Sequence, residues 1–288
     1  MAETYGSTSA RMLTSEAAQK FREAGVDTSV LDAEILISHA LGRTRTYLVA
    51  HPEYEPSLEE IERYREYVDR RSRREPLAYI IGCREFYGIP FEVSPAVLIP
   101  RPETEILVDF AIQCLRDVPD PMVADIGVGS GAIAVSIAKH VPKAIVYGTD
   151  SSFEALEIAN GNAECIGVQD RVYFLLGDLF EQVVGKKFDL IVSNPPYIPT
   201  AEIDKLQPEI SKYEPRQALD GGPDGLDCYR RLTAEASGYL RDGGILAVEV
   251  GAGQSDSVKE LFQVHGFRNI RTVRDLSGIE RVVTGEAG

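Results

Sequence analysis

The chain has 288 residues, which at roughly 150 residues per domain points to about two domains. With 44% hydrophobic and 26% charged residues, it has the balance of a folded globular protein, and disorder is excluded. Asp and Glu number 45 against 30 Lys and Arg, so the formal net charge of −15 disfavours nucleic acid, whose phosphates an acidic surface repels.

In chain order, the first segment, Met1 to Leu13, lacks the apolar core of a signal peptide. Leu13, Ala17, Phe21 and Ala24 then recur at helical spacing, and Gly25 follows as a stop. Ser29 and Asp32 open a second amphipathic stretch, with Leu31, Ile35, Leu36 and Ala40, closed by Gly42. Ser57 and Glu60 have capping-box spacing and start a long polar helix expected to run to Arg74, ahead of Pro76. Arg70, Arg71, Arg73 and Arg74 close it, where cations suit the helix dipole; they are expected to be solvated. About four helices in all are expected here.

Between residues 77 and 100 the pattern becomes extended. Tyr79 to Ile81, then Phe86, Tyr87, Ile89, Phe91 and Val93, broken by Gly82, Gly88 and Pro90, read as a short β-hairpin. From Pro102 onward apolar runs at 122–126, 144–149, 172–176, 188–193, 245–250 and 279–283 alternate with helical patterns. Such alternation implies an α/β fold, a doubly wound and mostly parallel sheet covered on both faces. The run near 269–273 is expected to pair with 279–283 as an antiparallel hairpin at the sheet edge. No run approaches the ~20 apolar residues of a membrane span. Cys83, Cys114, Cys165 and Cys228 lie far apart, which supports neither a zinc site nor a disulfide framework and fits a reducing cytoplasm. His39, His51, His140 and His265 have no ligand-like spacing, and no metal is expected.

The chemistry-bearing residues fall at the ends of successive strands. The first strand of the α/β region leads into Asp125-Ile126-Gly127-Val128-Gly129-Ser130-Gly131, a loop whose glycines let a ligand approach the backbone at a helix N-terminus. Glycine also serves such turns for packing alone. The second strand ends in Asp150, about 20 residues after the loop, where a carboxylate can hold ribose hydroxyls. The third ends in Asp178-Leu179, and each acid taken singly also suits a helix cap. Together, with G-x-G-x-G spacing and the early Asp125, they point to an adenosine-bearing cofactor of the S-adenosylmethionine kind.

The fourth strand ends in Asn194-Pro195-Pro196-Tyr197. With proline at about 5% of average usage, such a tetrapeptide arises by chance on the order of once in a hundred chains of this length. An amide or aromatic amine nitrogen is a poor nucleophile because its lone pair is delocalised. Two acceptors aimed at its N–H bonds fix its orientation and support the charge that develops on methyl transfer. Asn194 offers a side-chain carbonyl, Pro195 a backbone carbonyl with no competing N–H, and Tyr197 a flat wall.

The wider sequence resembles the HemK/PrmC family, the protein-(glutamine-N5) methyltransferases of peptide chain release factors. The resemblance rests on Arg74-Glu-Pro-Leu-Ala, Arg84-Glu-Phe-Tyr-Gly, Val97-Leu-Ile-Pro-Arg-Pro-Glu-Thr-Glu105 and Ile191-Val-Ser-Asn-Pro-Pro-Tyr-Ile. It continues in Tyr213-Glu-Pro, Leu219-Asp-Gly-Gly and Ile279-Glu-Arg-Val, and it spans essentially the whole chain. It implies methylation of the glutamine in the Gly-Gly-Gln loop of class 1 release factors during translation termination, with S-adenosylhomocysteine as product. By position, Gly127, Val128, Gly129, Ser130 and Gly131 would line the methionine part of the cofactor. Asp150 would hold the ribose, Asp178 and Leu179 the adenine, and Asn194, Pro195, Pro196 and Tyr197 the glutamine. Ile126 and Val128 stand where Leu and Thr are common, and Leu179 where an aromatic residue is frequent.

The expected organisation is a helical substrate-recognition domain over 1–75, a β-hairpin linker over 76–100 and a Rossmann-like methyltransferase domain over 101–288. The expected location is the cytoplasm, with a release factor as partner and neither membrane nor direct nucleic-acid contact. Two other enzymes share the tetrapeptide: an adenine-N6 DNA or RNA methyltransferase, and a glutamine methyltransferase of a ribosomal protein. The first predicts a basic groove, which the composition does not offer. Arg101 and Glu103 suit either a substrate entrance or a plain helix start with Pro102 in its first turn. Glu214 is expected in a loop turn.

Overall fold

The computed structural model describes residues 9–288 and divides them into two compact units. The stretch on which the signal-peptide expectation rests lies largely outside the described residues. The first unit runs to Gly82 and also contains Gln207–Tyr213; the second holds Cys83–Leu206 and Glu214–Gly288.

In the first unit, α1 (Ala10–Glu23), α2 (Ser29–Leu41), α3 (Arg45–Ala50), α4 (Leu58–Ser72) and α5 (Leu77–Ile81) enclose a core of Leu13, Phe21, Leu36, Ile37, Tyr64 and Val68. The capping box is present: Glu60 N–H donates to Ser57 Oγ at 3.3 Å, and Ser57 N–H to Glu60 Oε2 at 2.7 Å. Gly42 ends α2 in the left-handed region. Two expectations are corrected here. Tyr79–Ile81 are not extended; set between Pro76 and the left-handed Gly82, they form the single helical turn α5 and bury Tyr79 and Ile80. The arginines closing α4 are also not all solvated. Arg71 is buried, donating to Asp32 Oδ2 at 2.7 Å and to Glu209 Oε1 at 2.9 Å. Arg74 grips both oxygens of Glu209 at 2.7 Å, a bidentate fork. The partner carboxylate is supplied by the remote 207–213 segment, which adds the short helix α9 (Pro208–Ser211).

The second unit begins with the antiparallel hairpin β1 (Cys83–Phe86) and β2 (Ile89–Glu92). After α6 (Glu105–Leu115) come β3 (Met122–Ile126), α7 (Ala132–His140), β4 (Ile145–Asp150), α8 (Phe153–Ile166), β5 (Val172–Leu176) and β6 (Phe188–Ser193). Then follow α10 (Asp227–Ala236), β7 (Leu240–Glu249), α11 (Ser255–Val264), β8 (Arg268–Arg274) and β9 (Glu280–Glu286). The sheet order is β5-β4-β3-β6-β7-β9-β8, parallel through β7 and antiparallel at the edge, as the apolar runs imply. Alternate residues feed opposite faces. Val123, Leu190 and Val192 meet Leu107, Val108 and Ile137 on one side, while Ala124, Ile191 and Val248 meet Tyr229, Leu232 and Phe262 on the other. The chain leaves β3 toward β4 and β5, then returns to place β6 on its other flank. That reversal opens a crevice at the carboxyl ends of these strands, where open α/β sheets bind ligands.

Candidate functional site

A cavity of about 370 Å³ fills that crevice, lined by the ends of β3, β4 and β6, by the 96–104 stretch and by the 215–220 loop. The glycine loop forms its floor. Gly127 and Gly129 sit at φ +81° and +54°, and space stands open where a Cβ would point at either. The loop is held from behind: Gly127 and Val128 N–H donate to Thr149 O at 2.9 and 3.1 Å, and Gly129 N–H to Asp150 Oδ2 at 2.9 Å. Buried Asn162 donates to Ser130 O at 2.9 Å while accepting from Glu92 N–H at 2.7 Å, tying the loop to β2. The result is a rigid cradle with room for a ligand against the main chain.

Beneath the loop, Asp125 is fully buried. Its Oδ2 accepts from Ala134 N–H at 3.0 Å and its Oδ1 has no partner. Burial pushes its pKa up to about 8, against the pull of that N–H, so the carboxyl is partly protonated near neutrality. Asp150 accepts from Ser152 N–H at 2.9 Å as well as from Gly129, and each oxygen keeps a second lone pair for a ligand hydroxyl. Asp178 pairs with Arg231 at 2.6 Å, both half exposed. Leu179 next to it adopts φ +46°, with its carbonyl held by the Thr149 hydroxyl at 2.7 Å.

At the end of β6, Asn194 donates through Nδ2 to Thr104 Oγ1 at 3.1 Å. That bond occupies the amino side of the amide and leaves Oδ1 to accept. The following backbone is clamped by Gln254, whose Nε2 donates to Tyr197 O at 2.9 Å while its Oε1 accepts from Gly251 N–H. Ile198 forms an isolated parallel bridge with Asp220: its N–H donates to Leu219 O and its carbonyl accepts from Gly221 N–H, each at 2.9 Å. Burial, then the nearby Glu249, raises the Tyr197 phenol to about 12, so the ring stays neutral.

Of the residues singled out from sequence, Gly127, Val128, Gly129, Ser130, Asp150, Asp178, Leu179, Asn194 and Pro196 line the one cavity. Gly131, Pro195 and Tyr197 are not among its lining residues. Gly131 instead begins α7, packed against Ala159 and Phe174. Sequence reasoning passed over Ala96, Leu98, Pro100 and Thr104, and over Gln217 and Ala218, which also line it. Leu98, Pro100 and Thr104 were present only inside the family-like block 97–105, which carries no chemistry on its face, and Ala96, Gln217 and Ala218 lie outside the family-like blocks. Arg101 lines the cavity and pairs with Glu214 at 2.5 Å, while Pro102 starts a 3-10 turn as the helix-start expectation has it. Glu214 is buried and also accepts from Ile99 N–H at 3.3 Å; it is a structural anchor of the 96–101 wall.

Strand order, the glycine turn after β3 and an acid closing β4 define a Rossmann-like S-adenosylmethionine-dependent methyltransferase fold. A methyltransferase from Pyrococcus furiosus has the same fold, with a TM-score of 0.53 at 20% identity over 76% of this chain and 98% of its own. Residues 13–82 match the PrmC N-terminal domain and residues 104–210 the methyltransferase small domain. The release factor glutamine methyltransferase of Geobacter sulfurreducens is 48% identical over 92% of both chains, and that of Caulobacter vibrioides 44% over 93% of both. The chain belongs to the release factor glutamine methyltransferase family. Among the described residues no helix is long and apolar enough to cross a membrane, and no cluster of His, Cys, Asp or Glu could hold a metal ion.

Proposed function

We infer that the chain methylates the side-chain amide nitrogen of the glutamine in the Gly-Gly-Gln loop of class 1 release factors. The observation carrying this reading is the Asn194 amide at the cavity wall, its Nδ2 engaged by Thr104 and its Oδ1 left to accept. A substrate NH2 offers two N–H donors; Asn194 Oδ1 would take one and the Pro195 carbonyl the other. Aligning both turns the nitrogen lone pair toward the methyl donor and saves the entropy of orientation. Tyr197 would lie flat along the planar amide.

The cradle fits S-adenosylmethionine, which when bound supplies a methyl group on a sulfonium and departs as S-adenosylhomocysteine. Gly127 to Ser130 would meet its methionine part, Asp150 its ribose hydroxyls, and Leu179 with Asp178 its adenine. With the methyl leaving the sulfonium sulfur for the amide nitrogen, positive charge would develop on that nitrogen. Asn194 Oδ1 and Pro195 O would stabilise it there. The proton then leaves the nitrogen to water, and the amide ends neutral. No general base is required before attack.

A protein partner agrees with the charge of −15, which favours a basic surface opposite and opposes nucleic acid. The helical unit is proposed to recognise that protein, and the cytoplasm, where translation terminates, is the proposed location. The test is incubation with S-adenosylmethionine and a release factor, followed by peptide mass spectrometry. One added methyl on the Gly-Gly-Gln peptide, absent with Asn194→Ala, is expected. Methylation of an adenine oligonucleotide and not of that peptide would overturn the reading.

A further inference from the structure

One buried group near the site has no part in the chemistry described so far. Glu249 closes β7, is 2% exposed, and its Oε2 has no hydrogen-bond partner. A bare carboxylate oxygen in a protein interior is costly to keep. The Thr104 hydroxyl, on the turn before α6, faces this carboxyl closely enough to lower its pKa. The same hydroxyl oxygen accepts from Asn194 Nδ2 at 3.1 Å.

We propose that Thr104 and Glu249 are positioning residues for methyl transfer, forming a Glu249–Thr104–Asn194 relay that fixes which face of the Asn194 amide meets the substrate. The inference rests on the role of Asn194 given above. A hydroxyl has one hydrogen to give. When it goes to the Glu249 carboxylate, only lone pairs of Thr104 face Asn194, and only an N–H can satisfy them. Asn194 must then turn its NH2 inward and its Oδ1 toward the substrate. The negative end of the relay also polarises the Asn194 amide, strengthening Oδ1 as an acceptor. Without the relay, the two faces of the amide are nearly equivalent in shape, and the flipped form presents donors to a donor.

The direction of the relay depends on the charge of Glu249. Burial raises its pKa to about 7, against the facing Thr104 hydroxyl; Glu103 adds to the rise, and Arg281 and Arg101 oppose it. Tyr197 and Tyr229 also face it, both with raised pKa and neutral in this range. A protonated Glu249 has a hydrogen of its own to donate to Thr104, which frees the Thr104 hydrogen for Asn194 and permits the flipped amide.

The test compares Thr104→Val, Thr104→Ser, Glu249→Gln and Asn194→Ala in single-turnover methylation of a release factor. Calorimetric binding of S-adenosylhomocysteine runs beside it. Thr104→Val, which keeps shape and loses the acceptor, is expected to slow transfer about 10- to 100-fold with S-adenosylhomocysteine affinity within about twofold, as for a buried N–H left without its partner. Thr104→Ser restores most of the rate. The wild-type rate falls on the acid side of neutrality, and Glu249→Gln, slower throughout, loses that limb. In the free enzyme, the Asn194 side-chain amide protons are expected to exchange slowly by NMR in the wild type and faster in Thr104→Val. Wild-type transfer by Thr104→Val, a parallel loss of S-adenosylhomocysteine affinity, or an unchanged acid limb in Glu249→Gln overturns the relay. If Asn194→Ala itself transfers normally, the reading of the site fails instead.

Discussion

Gly148, in the middle of β4, carries a sharp prediction. A Cβ there would stand 2.4 Å from Val128 Cγ2 and 2.8 Å from Phe174 Cδ1, whereas carbon atoms rest at about 3.5–4.0 Å. The backbone of Gly148 does not lie in the left-handed region, so Gly148→Ala adds crowding without conformational strain. Overlap of this size against two packed side chains costs about 1–3 kcal/mol. At about 2–4 °C per kcal/mol for a domain of this size, the melting temperature should fall by roughly 2–12 °C. The crowded neighbour is itself a wall of the cofactor cavity, and its N–H is bonded to Thr149 O beside the substitution. Displacing Val128 therefore disturbs the cradle, and if about 1.4 kcal/mol of that strain is felt on binding, the Kd for S-adenosylhomocysteine rises about tenfold. Thermal melts and calorimetry read both effects. Val128→Ala removes the clashing Cγ2 but not the Phe174 contact, so the double variant should regain part of the loss. A Gly148→Ala protein that melts within about 1 °C of wild type and binds normally, a shift below what 1 kcal/mol gives, would refute the reasoning.

Three further outcomes are expected. Glu209→Ala leaves Arg71 and Arg74 without their shared carboxylate; since Glu209 is 15% exposed, the loss should be about 3 kcal/mol, the low end for a broken buried pair, read by chemical denaturation. Burial works to raise the Glu209 pKa, yet the Arg74 hydrogen bonds and then those of Arg71 lower it below the usual 4.5, so its contribution stands at neutral pH and fades as pH falls through that depressed value. Asp150→Ala removes the acceptor that holds Gly129 and should weaken S-adenosylhomocysteine binding by about tenfold or more, from about 1.5–3 kcal/mol for a charged hydrogen bond, in the same calorimetric assay. Burial raises Glu249 to about 7 and Asp125 to about 8, so the stability they contribute is present in acid, below their ordinary values of 4.5 and 3.8, and is lost as pH rises through 7 and 8. Denaturant melts across that window should slope downward, and Glu249→Gln with Asp125→Asn should flatten the slope.

The α/β layering was legible because both faces of the parallel strands are buried, so each strand reads as a short apolar run. That the glycine loop and Asn194 meet at one crevice was legible because both fall at the carboxyl ends of neighbouring strands. Extended structure at Tyr79–Ile81 was misread because three apolar residues carry no period, and the Pro76 and Gly82 that delimit a helical turn also punctuate strands. Arg71 was misread because a helix end full of arginines looks solvated until the carboxylates arriving from Asp32 and Glu209 are known. Thr104 and Glu249 were invisible for the same reason. Thr104 meets Asn194 from 90 positions away and Glu249 faces Thr104 from 145, and no local pattern encodes either.

The fork between Arg74 and Glu209 also bears on the order in which the polypeptide emerges during synthesis. The two residues are 135 positions apart. At about 5–20 residues per second, roughly 7–27 s pass between them on the ribosome. For that interval Arg71 has Asp32 but the Arg74 guanidinium lacks its carboxylate, and a fragment ending at Gly82 would never receive it. Although its five helices come first, the amino-terminal unit is completed late, after the first four parallel strands have been made.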